Sequence, residues 1–350
     1  MSKNFNLNRL LRQNVKNLKP YSSARDEFKT VGEPMVFLDA NENPFETAVN
    51  RYPDPQQTKL KQVLAAQRNV QPGQLLLGNG SDEVLDLLYR AFCEPNIDNV
   101  ITLPPTYGMY GVLAGINAVE NREVLLTENF ELDVDAILRK QDERSKLLFI
   151  CAPNNPTGNI FNRDTILELL EKFNGIVVID EAYIDFSATD SWLKELDKFP
   201  NLVVTQTLSK AYGMAGIRLG ICYASAAIIE ILNKIKPPYN VNVLTQEYAL
   251  ERIQDTIKIK NEISRIKEVK KGLFKQLLQY NFVKKVYPSE ANFLLVKVDD
   301  ATKRYQQLLQ HTIVVRNRSN QPLCENTLRI TVGTEREVEA LLTALTQLEQ

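Results

Sequence analysis

The chain has 350 residues, of which 44% are hydrophobic and 24% charged, and its 42 basic side chains nearly balance 43 acidic ones. This length and composition fit a globular protein of two domains, or one large domain with an extension, and exclude a disordered or fibrous chain. A net charge of -1 offers no basic surface for nucleic acid or membrane, and the single histidine, His311, excludes a His-based triad or a multi-histidine metal centre.

The first 25 residues carry six basic side chains and no acidic one. A transit peptide has this bias, but the segment runs into Pro20-Tyr21-Ser22-Ser23-Ala24-Arg25-Asp26 and is expected to be retained as an N-terminal arm, residues 1–30, that packs near the active site and the smaller C-terminal unit. Cys93, Cys151, Cys222 and Cys324 are far apart without metal-ligand spacing, which predicts reduced thiols and a cytoplasmic setting. Cys151 and Cys222 lie in apolar runs and are expected in the core, whereas His311 is expected at a surface or helix end. No apolar run reaches the roughly 18 residues of a membrane span.

From about residue 75 to 225, short apolar runs alternate with amphipathic stretches. The runs are Leu75–Leu77, Val100–Leu103, Lys146–Ile150, Gly175–Ile179 and Leu202–Val204. Between them, Asp82–Cys93 places Val84, Leu88, Ala91 and Phe92 on one helical face, and Asp164–Phe173 reads as a second helix. The alternation predicts an α/β layer with a mainly parallel sheet covered on both faces. Beyond Ser225 a helix over Ala226–Lys236 is predicted to stop at Pro237-Pro238. One long charged helix, roughly Leu244–Gln279, should follow. Strands are predicted at Phe293–Val298, Ile313–Arg316 and Leu328–Val332, and helices at Lys303–Gln310 and Glu335–Leu348. The chain therefore divides into a large unit, residues 31–235, and a smaller α+β unit, residues 236–350.

Four segments of the large unit carry candidate chemistry. Gly78-Asn79-Gly80-Ser81-Asp82-Glu83 joins a strand to a helix, so its N–H groups suit a phosphate, although it lacks the spacing of a dinucleotide fingerprint. Ala152-Pro153-Asn154-Asn155-Pro156-Thr157-Gly158 follows a strand; it reads either as a plain turn or as a rigid mount for an amide that donates to a phenolate oxygen. Asp180 ends the run Val177–Ile179, with Tyr183 three residues on. It reads either as a helix N-cap or as a carboxylate that keeps a pyridinium nitrogen protonated. In Ser209-Lys210, a lysine amine stands ready to condense with an aldehyde, and Arg218 eight residues on offers a rigid fork for a phosphate.

In this order, along one α/β sheet, the segments resemble the fold-type I pyridoxal-phosphate (PLP) enzymes. The resemblance is specifically to the aminotransferase family, class II, that includes the histidinol-phosphate aminotransferases. It extends over nearly the whole chain and includes Leu38-Asp39-Ala40-Asn41-Glu42-Asn43-Pro44, Asn50-Arg51-Tyr52-Pro53-Asp54-Pro55, Pro104-Pro105-Thr106-Tyr107-Gly108-Met109-Tyr110 and Leu328-Arg329-Ile330-Thr331-Val332-Gly333. The resemblance implies that Lys210 bonds the cofactor aldehyde, Asp180 pairs with its ring nitrogen, and Asn155 and Tyr183 contact its phenolic oxygen. Ser209, Arg218 and the amides of Ser81 and Asp82 would hold its phosphate, and Tyr107 would stack on its ring. Tyr52 would reach the phosphate from a second copy, which implies a homodimer.

Histidinol phosphate has an amine and a phosphate, while its partner glutamate has two carboxylates, so one site must accept either anion. Arginine suits both. The resemblance implies Arg316 and Arg329 in this role, with Tyr21 and Asn43 completing the substrate pocket and Arg318 an exposed neighbour. Rival readings are a threonine-phosphate decarboxylase or an aromatic or branched-chain aminotransferase on the same scaffold. A PLP-binding regulator lacks a DNA-binding extension here, and a nucleotide-binding dehydrogenase lacks its fingerprint.

Overall fold

The computed structural model describes residues 5–20 and 35–349. Tyr21 lies outside them. Two short helices, α1 (Leu7–Leu10) and α2 (Gln13–Asn17), send Leu10 and Val15 into the core of the larger unit. Then come α3 (Thr58–Arg68), β1 (Leu75–Asn79), α4 (Ser81–Phe92), β2 (Asn99–Thr102), α5 (Met109–Ile116) and β3 (Glu120–Glu123). The unit continues through α6 (Val134–Lys140), β4 (Ser145–Cys151), α7 (Arg163–Lys172), β5 (Ile176–Asp180), β6 (Leu202–Thr207), β7 (Leu219–Ala224) and α8 (Ala226–Ile235).

These strands form one sheet in the order β1-β7-β6-β5-β4-β2-β3, parallel throughout except for β7, which runs antiparallel to both its neighbours. The apolar runs become central strands because successive side chains feed two different cores. Leu148, Ile150, Val177 and Ile179 join one, and Leu147, Phe149, Ile176 and Val178 the other. Outside this sheet the strand Val283–Val286 was not expected, and the strand expected at Ile313–Arg316 begins only at Arg316. Two strands within the sheet also differ from expectation. β3 (Glu-Asn-Arg-Glu) is a polar edge strand with no apolar run to reveal it, and β7 hides behind the lysine segment.

The long charged helix is two helices, α9 (Val243–Gln254) and α10 (Thr256–Leu277). Asp255 separates them, its carboxylate accepting from the Lys258 N–H at 3.1 Å as the cap of α10. Val241, Ala249, Ile253 and Ile259 still pack in the larger core, whereas Leu273 and Leu277 pack in the smaller one.

The smaller unit contains β8 (Val283–Val286), β9 (Phe293–Val298), α11 (Ala301–Gln310), β10 (Arg316–Asn317), β11 (Thr327–Thr331) and α12 (Glu335–Gln347), and His311 caps the exposed end of α11. Its antiparallel sheet runs β10-β11-β9-β8. Leu294, Val296, Leu328 and Ile330 point into the small core, while Phe293 and Leu295 of β9 pack into the large one. Arg329 is the register partner of Leu295, so the alternation of the pleat turns it toward the larger unit.

Candidate active site

At the carboxyl ends of β4, β5 and β6 the chain leaves the sheet through the three predicted segments, and a cavity of about 130 Å3 opens there. Ser81, Asp82, Tyr107, Asn155, Asp180 and Tyr183 line it, together with Ser209, Lys210 and Arg218. Nine of the predicted cofactor residues thus meet in one place.

Asp180 forms the floor. The Tyr110 hydroxyl donates to its Oδ2 at 2.7 Å and the Ala182 N–H to its Oδ1 at 3.2 Å, so it closes a local turn rather than capping a helix. Burial drives its pKa up, and the hydrogen bond from Tyr110 pulls the other way. Tyr110 is itself wholly buried, stacked on Phe149 and edge-on to Tyr107 with ring centroids 4.8 and 5.5 Å away. It was not singled out in the sequence; its signal is the second aromatic of Tyr107-Gly108-Met109-Tyr110, which falls in the first turn of α5.

Asn154, the neighbour of Asn155, ties the two loops together. Its Nδ2 donates to the Pro105 carbonyl at 2.9 Å and to Thr157 Oγ1 at 2.7 Å, while its Oδ1 accepts from Thr106 Oγ1 at 3.0 Å. Tyr107 and Asn155 are positioned by this knot. Gly158 closes the loop with φ of +80°, and a Cβ there would lie 2.4 Å from Ser289 Oγ, so only glycine lets the small unit approach. Its carbonyl accepts from the Glu290 N–H at 2.7 Å, and Lys270 of α10 clamps the same turn through the Ser289 and Ala291 carbonyls at 2.6 and 2.7 Å.

The opposite side is cationic and begins at the start of α4. Gly80 has φ of +80° and its N–H donates to the Arg218 carbonyl at 2.8 Å; a Cβ on Gly220 would fall 2.3 Å from the Ser81 nitrogen. This close approach leaves the first amides of α4 facing the cavity beside the Arg218 guanidinium. Asp82 acts through its side chain as well, accepting from the Tyr107 hydroxyl at 3.0 Å and lying 3.7 Å from Arg218. Thr207, absent from the sequence reading, accepts from the Ser209 N–H at 3.1 Å and steadies that turn.

Lys210 Nζ stands 5.8 Å from the centroid of the Tyr183 ring. Partial loss of water lowers its pKa, and the nearby charges of Arg329 and Arg218 lower it further against the opposing pull of Asp180 and Asp82. Tyr183 packs edge-on against Phe293 at 5.2 Å, and burial raises its pKa. Cys151 is a core residue as expected but also borders the cavity, and burial raises the pKa of its thiol.

From the small unit, Arg329 Nη1 donates to Asn155 Oδ1 and its guanidinium lies 5.3 Å from the Phe293 ring centroid. Arg316 is its cross-strand partner and is exposed, and neither arginine is among the residues that line the cavity. Arg318, expected to be exposed, is half-buried, and burial together with Arg329 and Arg316 pushes its pKa down to about 10. Among the described residues, no carboxylate lies within ion-pair distance of these three. Asn43 is outside the cavity, its Oδ1 accepting from the Phe45 N–H at 2.9 Å. Tyr52 is also outside, 51% exposed and stacked on Tyr239 at 4.5 Å.

The chain matches the family described as "Aminotransferase class I and II" over residues 36–345. It is 65% identical over 334 residues to the histidinol-phosphate aminotransferase of Flavobacterium johnsoniae, covering 95% of this chain and 96% of that one. The solved structure of the histidinol-phosphate aminotransferase from Clostridium acetobutylicum superposes with a TM-score of 0.80 at 26% identity, over 86% of this chain and 91% of that one. The enzyme of that name from Sinorhizobium meliloti, in complex with pyridoxal-5'-phosphate, gives a TM-score of 0.79 at 22% identity, over 85% and 83%. With a lysine, a buried strand-end aspartate and a helix N-terminus converging on one cavity, and with this likeness along almost its full length, the chain belongs to the class I and II aminotransferase family.

Proposed function

We propose that this protein is a PLP-dependent transaminase that moves an amino group between histidinol phosphate and 2-oxoglutarate, in histidine biosynthesis. The observation that carries the reading is the meeting of Lys210, Asp180 and the α4 N-terminus in one cavity, which Arg329 of the small unit reaches through Asn155. The near full-length relatives supply the substrate's identity.

The residues present fit the cofactor. A buried carboxylate bordering the cavity suits a protonated ring nitrogen, and the contact of Gly80 with Arg218 leaves a cradle that a Cβ would fill. Lys210 would bond the aldehyde, Asp180 the nitrogen, and Asn155 and Tyr183 the phenolic oxygen. Ser209, Arg218 and the Ser81 and Asp82 amides would hold the phosphate, with Tyr107 against the ring. When bound, the cofactor supplies an electron sink for the carbon that bears the amine. The chain does the rest. Lys210, its pKa already lowered, would take a proton from the substrate carbon and deliver it to the cofactor carbon that carried the aldehyde, not back to its source, and Tyr110 orients Asp180 and favours its ionised form. Arg316 and Arg329 hold the substrate anion, phosphate in one half-reaction and carboxylate in the other. Because the amino group is left on the enzyme when the first product departs, the kinetics are ping-pong.

Tyr52 is best read as a ligand to the cofactor phosphate of a second copy, so the active species is a homodimer. Support comes from the groove of about 390 Å3 around Asn50, Arg51, Tyr52 and Leu244, with Val49, Leu244 and Tyr248 50%, 63% and 56% exposed beside it. Tyr21 and Asn43 are proposed as further substrate contacts. We place the enzyme in the cytoplasm; its four cysteines are unpaired, and no helix among the described residues is long and apolar enough to cross a membrane.

Mixing the holoenzyme separately with histidinol phosphate, phenylalanine, leucine and phosphothreonine, while following cofactor absorbance and CO2 release, tests the reading. Rapid conversion by histidinol phosphate without CO2 is expected. Release of CO2 from phosphothreonine would point to the decarboxylase, and response to phenylalanine or leucine alone would make it an amino-acid aminotransferase.

A further inference from the structure

Arg318 continues the line of β10, and its N–H donates to the Thr327 carbonyl at 2.9 Å, one step beyond the Arg316–Arg329 and Asn317–Leu328 pairs. In this register Arg316, Arg318 and Arg329 lie on one face of the hairpin, the face turned toward Asn155 and Tyr183. The backbone of Arg318 holds the hairpin without help from its side chain. Among the described residues, no nitrogen of its guanidinium has a hydrogen-bond acceptor, and Nε is sealed from solvent; Arg329 Nε is in the same state. Three neighbouring cations, two of them with an orphaned donor, are unfavourable on their own, and a bound anion relieves the repulsion and the unmet hydrogen bonds together.

A carboxylate carries one charge and two oxygens and is satisfied by a pair of arginines, whereas a phosphate monoester carries close to two charges and three oxygens. We propose that Arg318 is a third arm of the substrate-anion site and makes it favour a phosphate monoester over a carboxylate. This rests on the reading of Arg316 and Arg329 as the substrate-anion pair. Arg318 remains a cation at all pH values below about 10, so the preference holds throughout the neutral range.

The test compares parent holoenzyme with Arg318→Gln and Arg318→Lys at about pH 8, where phosphate is dianionic. In Arg318→Gln the KM for histidinol phosphate is expected to rise about 10- to 100-fold, and that for glutamate less than about 3-fold; Arg318→Lys should recover part of the loss. Competition by inorganic phosphate should weaken as the KM does, while competition by acetate stays. Loss of a half-buried, unpaired cation should leave the thermal midpoint equal or higher without phosphate and shrink the rise that phosphate gives the parent. Equal loss for both substrates, no loss for either, or a lowered midpoint in both variants would overturn the proposal. If the parent ignores histidinol phosphate, the substrate reading fails separately, and the phosphate-against-acetate comparison still decides the role of Arg318.

Discussion

On the wall of the cavity built from the large sheet, Asp180 has both carboxylate oxygens engaged, by Tyr110 and by the Ala182 N–H. Beyond Asn155, outside the residues that line the cavity, the wall formed by the β10–β11 hairpin carries three cations, Arg316, Arg318 and Arg329, with no carboxylate in reach among the described residues, and two of their Nε atoms are orphaned. The first wall is finished by the fold itself and suits a group that stays bound through many turnovers. The second is left incomplete and suits molecules that come and go, since each arrival gains what the protein alone does not provide. Gly158 and Asn155, which touch the small unit, are where the two walls meet.

The largest expected effect comes from Lys210, which stands between the walls. Lys210→Ala should lower turnover of histidinol phosphate with 2-oxoglutarate at least about 10⁴-fold while the protein still takes up cofactor. Substantial residual turnover would mean that neither wall is organised around this amine. Next is the finished wall. Tyr110→Phe removes a hydrogen bond to a buried charge, a loss of about 1.5–3 kcal/mol, or roughly 10- to 100-fold in kcat/KM. The sign of the pH effect follows from burial already raising the Asp180 pKa: without the Tyr110 donor it rises further, and the acidic limb of the pH–rate profile moves to higher pH. A profile that falls in amplitude without moving would refute the orienting role of Tyr110.

Gly158→Ala attacks the seam. With φ of +80° and a Cβ placed 2.4 Å from Ser289 Oγ, it should cost about 1–3 kcal/mol in urea unfolding and raise KM for both substrates together. The smallest effect is at Asp255, remote from both walls. Asp255→Ala should cost ~1 kcal/mol by removing the α10 cap and leave KM unchanged, so a change in KM there would show that α10 transmits its geometry to the site.

The finished wall was the more legible in the sequence. Its residues end apolar strands or sit in Gly- and Pro-marked turns, so Asp180, Asn155 and Lys210 could be placed by local pattern. What escaped was relational. Tyr110 looks like any aromatic on a buried helix until its hydroxyl meets Asp180, and Thr207 looks like the last residue of a strand. The incomplete wall was harder because exposure is a tertiary property: nothing local distinguishes Arg316 from Arg318, yet the hairpin leaves one exposed and half-buries the other. The break at Asp255 was hidden for a different reason, since charged helical periodicity continues on both sides of the cap.

Cys151 and Lys210 border the same cavity and are moved in opposite senses, the thiol held protonated by burial and the amine eased toward its neutral form. A thiol is a nucleophile only as thiolate, and an amine only once it has lost its proton. The site therefore settles a competition between nucleophiles by where it puts them. Sulfur is kept silent and nitrogen is made ready, so an electrophile entering here finds a single address.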